Sequence, residues 1–226
     1  MSIFNEIKKI GKTPVIAQIG GFRPDDTIKS WFGGNFLFKS NMSWPMDKDG
    51  FMLPVIQVMV SEIPNGKHFF GNMRLIQVFI NSKRLPTGPA KNGDGWLLIE
   101  HDSTENMITV PTPNECNKYK TFQIKWSKGG KPDYPCWEES WYYFDMDDIN
   151  ELEELSDRFF DEFDRYTKTK IGGYASFIQS PCLGNFEYVF QISSEQKPLF
   201  MVGDNGNIYV LKSKIDGQWY MEWDCY

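Results

Sequence analysis

Two glutamines, Gln57 and Gln191, lie inside apolar runs at 55–58 and 188–192. A side-chain amide in such a setting must find hydrogen-bond partners or cost on the order of 1–3 kcal/mol. Either the pair lines a ligand cleft between two halves of the molecule, or each amide satisfies the backbone of a neighbouring turn. Asp204, in the Gly-Asp-Asn-Gly string at 203–206, has the chemistry of a catalytic or calcium-binding carboxylate and equally that of a hairpin residue. Asp47 and Asp49 before Gly50 begin like a calcium loop, but the third acid and the distal glutamate at EF-hand spacing are missing. His101 beside Asp102 offers a base and an orienter, yet neighbours on a strand point to opposite faces.

Nucleophilic chemistry has little else to use. The chain has no Gly-x-Ser-x-Gly elbow, no phosphate-cradling glycine-lysine loop and no dinucleotide fingerprint. A Cys–His pair using Cys136 or Cys182 is the arrangement left open. The four cysteines, at 116, 136, 182 and 225, never approach Cys-x-x-Cys spacing, and only two histidines accompany them. No metal and no cofactor is therefore expected, and free thiols in a reducing compartment are the default. The first ten residues carry no long apolar stretch, which predicts a cytoplasmic protein without a signal peptide or membrane span.

Charge is concentrated. Residues 145–164 hold ten acids and one base, a local −9 within a total of −6, which leaves +3 for the rest. An acidic stripe disfavours nucleic acid, whose phosphates need cations opposite them, and suits a basic protein partner. Asp148, Glu151, Glu154, Asp157, Asp161 and Asp164 would carry that interaction. Close by, Trp137, Trp141, Tyr142, Tyr143 and Phe144 could stack on sugars or bases, or fill a core.

Positioning these residues requires strands. Aromatics make up 16% of the chain, and residues 53–60, 74–80, 186–193 and 207–213 are dense apolar runs of strand length. Steps of three and four among Ile149, Leu152, Leu155, Phe159, Phe163 and Tyr166 predict one long acidic helix over about 147–166. A short amphipathic helix is expected over 2–10, with Ser2 as its cap.

The chain also repeats itself. Lys29, Gly33 and Gly34 precede the Gln57 run, and Lys170, Gly172 and Gly173 precede the Gln191 run. From the glutamine to the next glycine, Gly71 or Gly206, the count is 14 residues in one copy and 15 in the other. The expectation is a single α+β domain, mainly antiparallel, duplicated internally. Its halves span about 14–110 and 169–226, with a connecting segment and acidic helix over 111–168. The five glycines 33, 34, 172, 173 and 206 are read as structural turns.

KSWFGG at 29–34 and TKIGGYASFIQ at 169–179 resemble the opening motifs of the two halves of the bacterial YwqG-like family. PVIQVMVSEIP at 54–64, GDNG at 203–206 and the terminal WDCY at 223–226 are similar to later motifs of that family. Asn35 and Phe36 stand where the family tends to place a proline, and Val202 where it places a tryptophan. The resemblance implies a duplicated α+β fold and supplies no mechanism. Relatives near toxin genes imply an immunity-like role. Function is accordingly expected to be non-enzymatic protein binding, immunity-like or regulatory. The alternatives are a small-molecule binder or hydrolase using a cleft between the halves, and a carbohydrate-binding module.

Overall fold

The computed structural model describes residues 3–146, 153–179 and 183–226. Strands β1 (Val15–Ile19), β2 (Trp31–Phe32), β3 (Phe36–Lys39), β4 (Met46–Asp47) and β5 (Gly50–Phe51) come first. They are followed by β6 (Leu53–Met59), β7 (Leu75–Ile80), β8 (Ala90–Lys91), β9 (Trp96–His101) and β10 (Met107–Val110). The later strands are β11 (Phe122–Lys128), β12 (Lys170–Ile171), β13 (Phe186–Ser193), β14 (Asn207–Ser213) and β15 (Trp219–Asp224). Four α-helices occur among the described residues: α1 (Ile3–Lys9), α2 (Gly66–Phe70), α3 (Trp137–Ser140) and α4 (Glu153–Glu162).

Eleven strands form one sheet in the order β8-β15-β14-β13-β12-β1-β11-β2-β6-β7-β9, and every pairing in it is antiparallel. Outward from the central β1–β11 pair, the order β12-β13-β14-β15 on one side matches β2-β6-β7-β9 on the other. The two ends of the sheet then meet. β8 and β9 are joined by residues 92–95, Trp96 Nε1 donates to the Ala90 and Lys91 carbonyls at 3.0 Å, and Leu98 N donates to Asn92 Oδ1 at 2.7 Å. The result is a nearly closed, barrel-like sheet, which removes most of the exposed edge that invites aggregation.

The halves exchange strands. β1 precedes β2 in the chain but pairs with β12, whereas β11 precedes β12 but pairs with β2. Ala17 N donates to Thr169 O and Ile124 N to Ser30 O, both at 3.0 Å. The β1–β11 register places Ala17 opposite Trp126 and Ile19 opposite Ile124, so the two exchanged strands face each other in matched positions. A bulge falls at Val55 in β6 and at Val189 in β13. The bulged carbonyls accept from Gly33 N at 2.9 Å and Gly172 N at 2.8 Å. β6 and β7 are apolar and buried along almost their whole length, as strands covered on both faces must be.

The α+β class with a long acidic helix between the halves is not what the chain adopts. The protein is mostly antiparallel β, and α4 is a ten-residue helix that ends at Glu162. The apolar spacing continues to Tyr166, but tertiary contacts compete with it. Phe163 stacks on Phe4 of α1, with ring centroids 5.6 Å apart, and Tyr166 N donates to Asp133 Oδ1 at 3.1 Å. The last turn also carries Asp161 and Glu162 and no base, which opposes the negative end of the helix dipole. Phe4, Ile7, Met146, Phe159 and Phe163 form a small core of their own, apart from the main core inside the sheet. Residues 141–144 form a turn following α3.

Candidate functional site

The two glutamines make matching bonds. Gln57 Oε1 accepts from Leu37 N at 2.7 Å and its Nε2 donates to Lys29 O at 2.7 Å. Gln191 Oε1 accepts from Ser176 N at 2.9 Å and its Nε2 donates to Lys168 O at 3.0 Å. Each accepting contact lies three residues beyond its double glycine, and each donating contact two residues before its short strand. Both side chains are buried with these groups satisfied inside the protein. Gln77, which the sequence does not single out, extends the first site: its Nε2 donates to Gln57 Oε1 at 2.8 Å, and its Oε1 lies 3.0 Å from His101 Nε2. His101 is thus engaged with an amide, and burial lowers its pKa.

The remaining candidates are dispersed. Asp204 is exposed, and its carbonyl accepts from Tyr226 N at 3.1 Å. Asp47 and Asp49 share the Asn81 amide at 2.7 and 2.8 Å. Asp148, Glu151 and the side chain of Glu154 lie outside the described residues, as does Cys182. Asp157 and Asp161 are exposed, Asp164 pairs with Lys131, and Glu162 pairs with Lys8 and Arg158. Cys136 caps α3 by accepting from Glu139 N at 3.4 Å, and burial pushes its thiol up to about 12. Such a thiol is not a ready nucleophile at neutral pH. Gly206 N donates to Val202 O at 2.7 Å, closing its turn.

The polar centre of the molecule lies elsewhere. Lys170 is paired with Gln191 across β12–β13, whereas the matching residue opposite Gln57 is Trp31. Lys170 Nζ reaches Asp133 Oδ2 at 2.7 Å and Ser176 Oγ at 3.1 Å. Asp133 Oδ2 also accepts from Tyr174 N at 2.9 Å. That approach demands glycine at 173, where φ is +71° and an added Cβ would sit 2.3 Å from Asp133 Oδ2. At Gly172 an added Cβ would sit 2.5 Å from the Phe69 ring of α2, so the turn also seats an aromatic from the first half.

Around this turn lie two adjoining cavities. The larger, about 810 Å³, runs between the Pro64–Phe69 stretch of the first half and β13–β14 of the second. Lys12, Lys128 and Lys212 enter it from three segments, alongside His68, Phe69 and Glu187. The smaller, about 270 Å³, shares Lys12, Gly173, Glu187 and Tyr188 with it and is lined further by Glu139, Tyr143 and Tyr174. Glu139 is only 1% exposed. Its Oε1 accepts from Tyr143 OH at 3.3 Å, while its Oε2 and the buried Tyr188 hydroxyl lack a hydrogen-bond partner among the described residues. Burial pushes the Glu139 carboxyl up to about 7, against the opposing pull of Lys12, Tyr143 and Lys170. A third cavity of about 640 Å³ is lined by Arg165, Lys168, Glu195 and Lys197 together with hydroxyl, amide and apolar side chains, and its Lys197 is already bonded to Ile19 O at 3.0 Å.

The repeat in the sequence matches Lys170 with Lys29, but the structure matches Lys29 with Lys168, whose carbonyls the two glutamine amides bond, and sets Lys170 at the position Trp31 fills in the other half. Asp133 is not marked in the sequence, because its side-chain partners Tyr166, Lys170 and Tyr174 lie more than 30 positions away, and Glu139 becomes notable only through its burial.

Together these features define an antiparallel β protein in which two strand-exchanged halves enclose a polar cleft at a double-glycine turn. No helix among the described residues is long and apolar enough to cross a membrane. A family model described as a domain of unknown function, DUF1963, matches residues 30–225, and the chain belongs to that family. No curated protein matches it.

Proposed function

We propose that this protein, as a YwqG-like member of its family in the cytoplasm, binds a small anionic molecule in the 810 Å³ cleft between its halves. The observation that carries this reading is the convergence there of Lys12, Lys128 and Lys212. None of the three forms an ion pair among the described residues. Cations focused in a concave, partly apolar site raise the local concentration of anions, and the Phe69 ring supplies a flat apolar wall. The role proposed is binding. The test is a thermal-shift series with inorganic phosphate, citrate and AMP at low and high salt. At least one should raise the melting point at low salt, and less so at high salt. A Lys128→Ala/Lys212→Ala variant should lose the response. No shift with any of the three, or an undiminished shift in the variant, overturns the reading.

A second reading, immunity-like or regulatory binding of a basic protein, is supported by one surface. Phe160 is 57% and Trp141 41% exposed, and Asp157 and Asp161 are exposed on the same helix as Phe160. The apolar rings would supply contact area and the acids electrostatic steering. Capture of a basic partner that fails with Asp157→Lys/Asp161→Lys would favour it over the cleft. Trp137 packs against Phe159 and Phe160, which leaves less flat ring surface for a carbohydrate.

A further inference from the structure

We propose that the 270 Å³ cavity beside Glu139 is an ammonium pocket, which takes the cationic head of a small alkylammonium compound between the Glu139 carboxylate and tyrosine rings. The inference goes beyond the anion cleft. It shares Lys12 with that cleft but turns on Glu139, the tyrosine rings and a ligand of opposite charge, and its test uses other variants and another probe, so either reading can fail alone.

Three observations carry it. First, Glu139 Oε2 is buried with no hydrogen-bond partner among the described residues, and so is the hydroxyl of Tyr188, which lines the same cavity. Buried polar atoms are nearly always bonded, and an orphan is the usual mark of a missing partner. Second, the walls are aromatic. Tyr143 and Tyr174 meet edge to face with centroids 6.0 Å apart, and ring faces attract cations through their quadrupole. Third, an ammonium is already there. Lys12 Nζ stands 4.1 Å over the Tyr174 ring, on a side chain that is otherwise exposed, so the chain's own amine occupies part of the position a ligand would take.

The surrounding charges suit a cation. Lys170 and Asp133 neutralise each other in a closed pair. Lys12, from the segment before β1, is the cation that can leave. Tyr143, Tyr174, Tyr188 and the neighbouring Cys136 thiol are neutral, because burial holds all four well above their ordinary pKa. Glu187 and Lys214 at the rim carry opposite charges. With Lys12 swung out, Glu139 is the uncompensated charge. A bound cation selects its ionised form, so binding expels a proton.

Tetramethylammonium chloride is the direct probe, because it does not titrate and cannot donate a hydrogen bond. Calorimetric titration should show binding that tightens about tenfold from about pH 6 to about pH 8, with sodium chloride at equal ionic strength as the blank. Lys12→Met should bind several-fold tighter by clearing the Tyr174 face. Glu139→Gln should bind more weakly and lose the pH dependence. Absence of binding to folded Lys12→Met at the higher pH overturns the proposal, as does equal binding by Glu139→Gln. If Glu139→Gln does not fold, the pH dependence of Lys12→Met decides: a flat profile overturns it.

Discussion

Lys170 Nζ lies 2.7 Å from Asp133 Oδ2, and neither side chain is exposed to solvent. In the other half the corresponding strand position is Trp31, an aromatic. The pair is what distinguishes the second double-glycine turn from the first, and both cavities abut that turn.

Removing one partner leaves a buried charge alone. Lys170→Met or Asp133→Asn should each lower stability by about 3–5 kcal/mol, with Asp133→Asn the worse because Asp133 also holds Tyr166 N and Tyr174 N. The double variant Lys170→Met/Asp133→Asn should cost less than the sum. Urea unfolding of the three proteins measures this, and a single-variant loss below about 1 kcal/mol contradicts a structural role for the pair.

Gly173→Ala should cost roughly 2–4 kcal/mol, since it combines a strained φ with a clash at the Asp133 carboxylate. Gly217, with φ +67° and nothing within 4 Å of an added Cβ, isolates the backbone contribution, and Gly217→Ala should cost only about 1 kcal/mol. Equal melting points for the two variants would show that Asp133 does not depend on the missing side chain.

Gln57→Leu and Gln191→Leu should be similarly destabilising, about 2–4 kcal/mol each, because each strands one backbone N–H and one carbonyl in the same relative places. An unchanged melting point in either would mean that its turn finds other partners.

Stability should fall as pH rises through neutrality. The Glu139 carboxyl, raised by burial from 4.5 to about 7, holds its proton in the folded state over a range where the unfolded chain has released it. Its contribution is therefore full below about pH 4.5 and lost as pH passes about 7, a change on the order of 3 kcal/mol. Burial raises Glu195 and Glu222 as well, so Glu139→Gln should flatten the profile in part. Urea midpoints at about pH 5 and about pH 8 for both proteins test it. An identical slope for the variant would assign the effect to other groups.

Neither half should fold alone. A fragment ending near residue 110 lacks β11, the strand that flanks β2, and its β1 has no β12 to pair with. Expressed separately, residues 1–110 and 111–226 should be unfolded or aggregated, and co-expression should recover a complex. A cooperative melt of either fragment by itself would contradict the strand exchange.

Local pattern was enough to find the paired glutamines, the double-glycine turns and most long strands. Alternation, apolar runs and the needs of a buried amide are properties of short stretches of chain. Gln57 and Leu37, or Gln191 and Ser176, lie 20 and 15 residues apart, within one supersecondary unit. The length of α4 was not legible in that way. A three-and-four spacing runs on to Tyr166, but Phe163 meets Phe4, Tyr166 N bonds Asp133 and the base-free last turn opposes the helix dipole, and the helix ends at Glu162.

The cleft and the Glu139 cavity belong wholly to tertiary structure. Lys12, Lys128 and Lys212 are unremarkable as single letters, and they become a site because strand exchange brings the chain's start, middle and end to one turn. Glu139 is likewise ordinary until Lys170, Asp133 and Tyr188 enclose it. A residue's type sets what chemistry it can do, whereas its solvation and its distant neighbours set its charge and its reach, and these exist only once the sheet has closed.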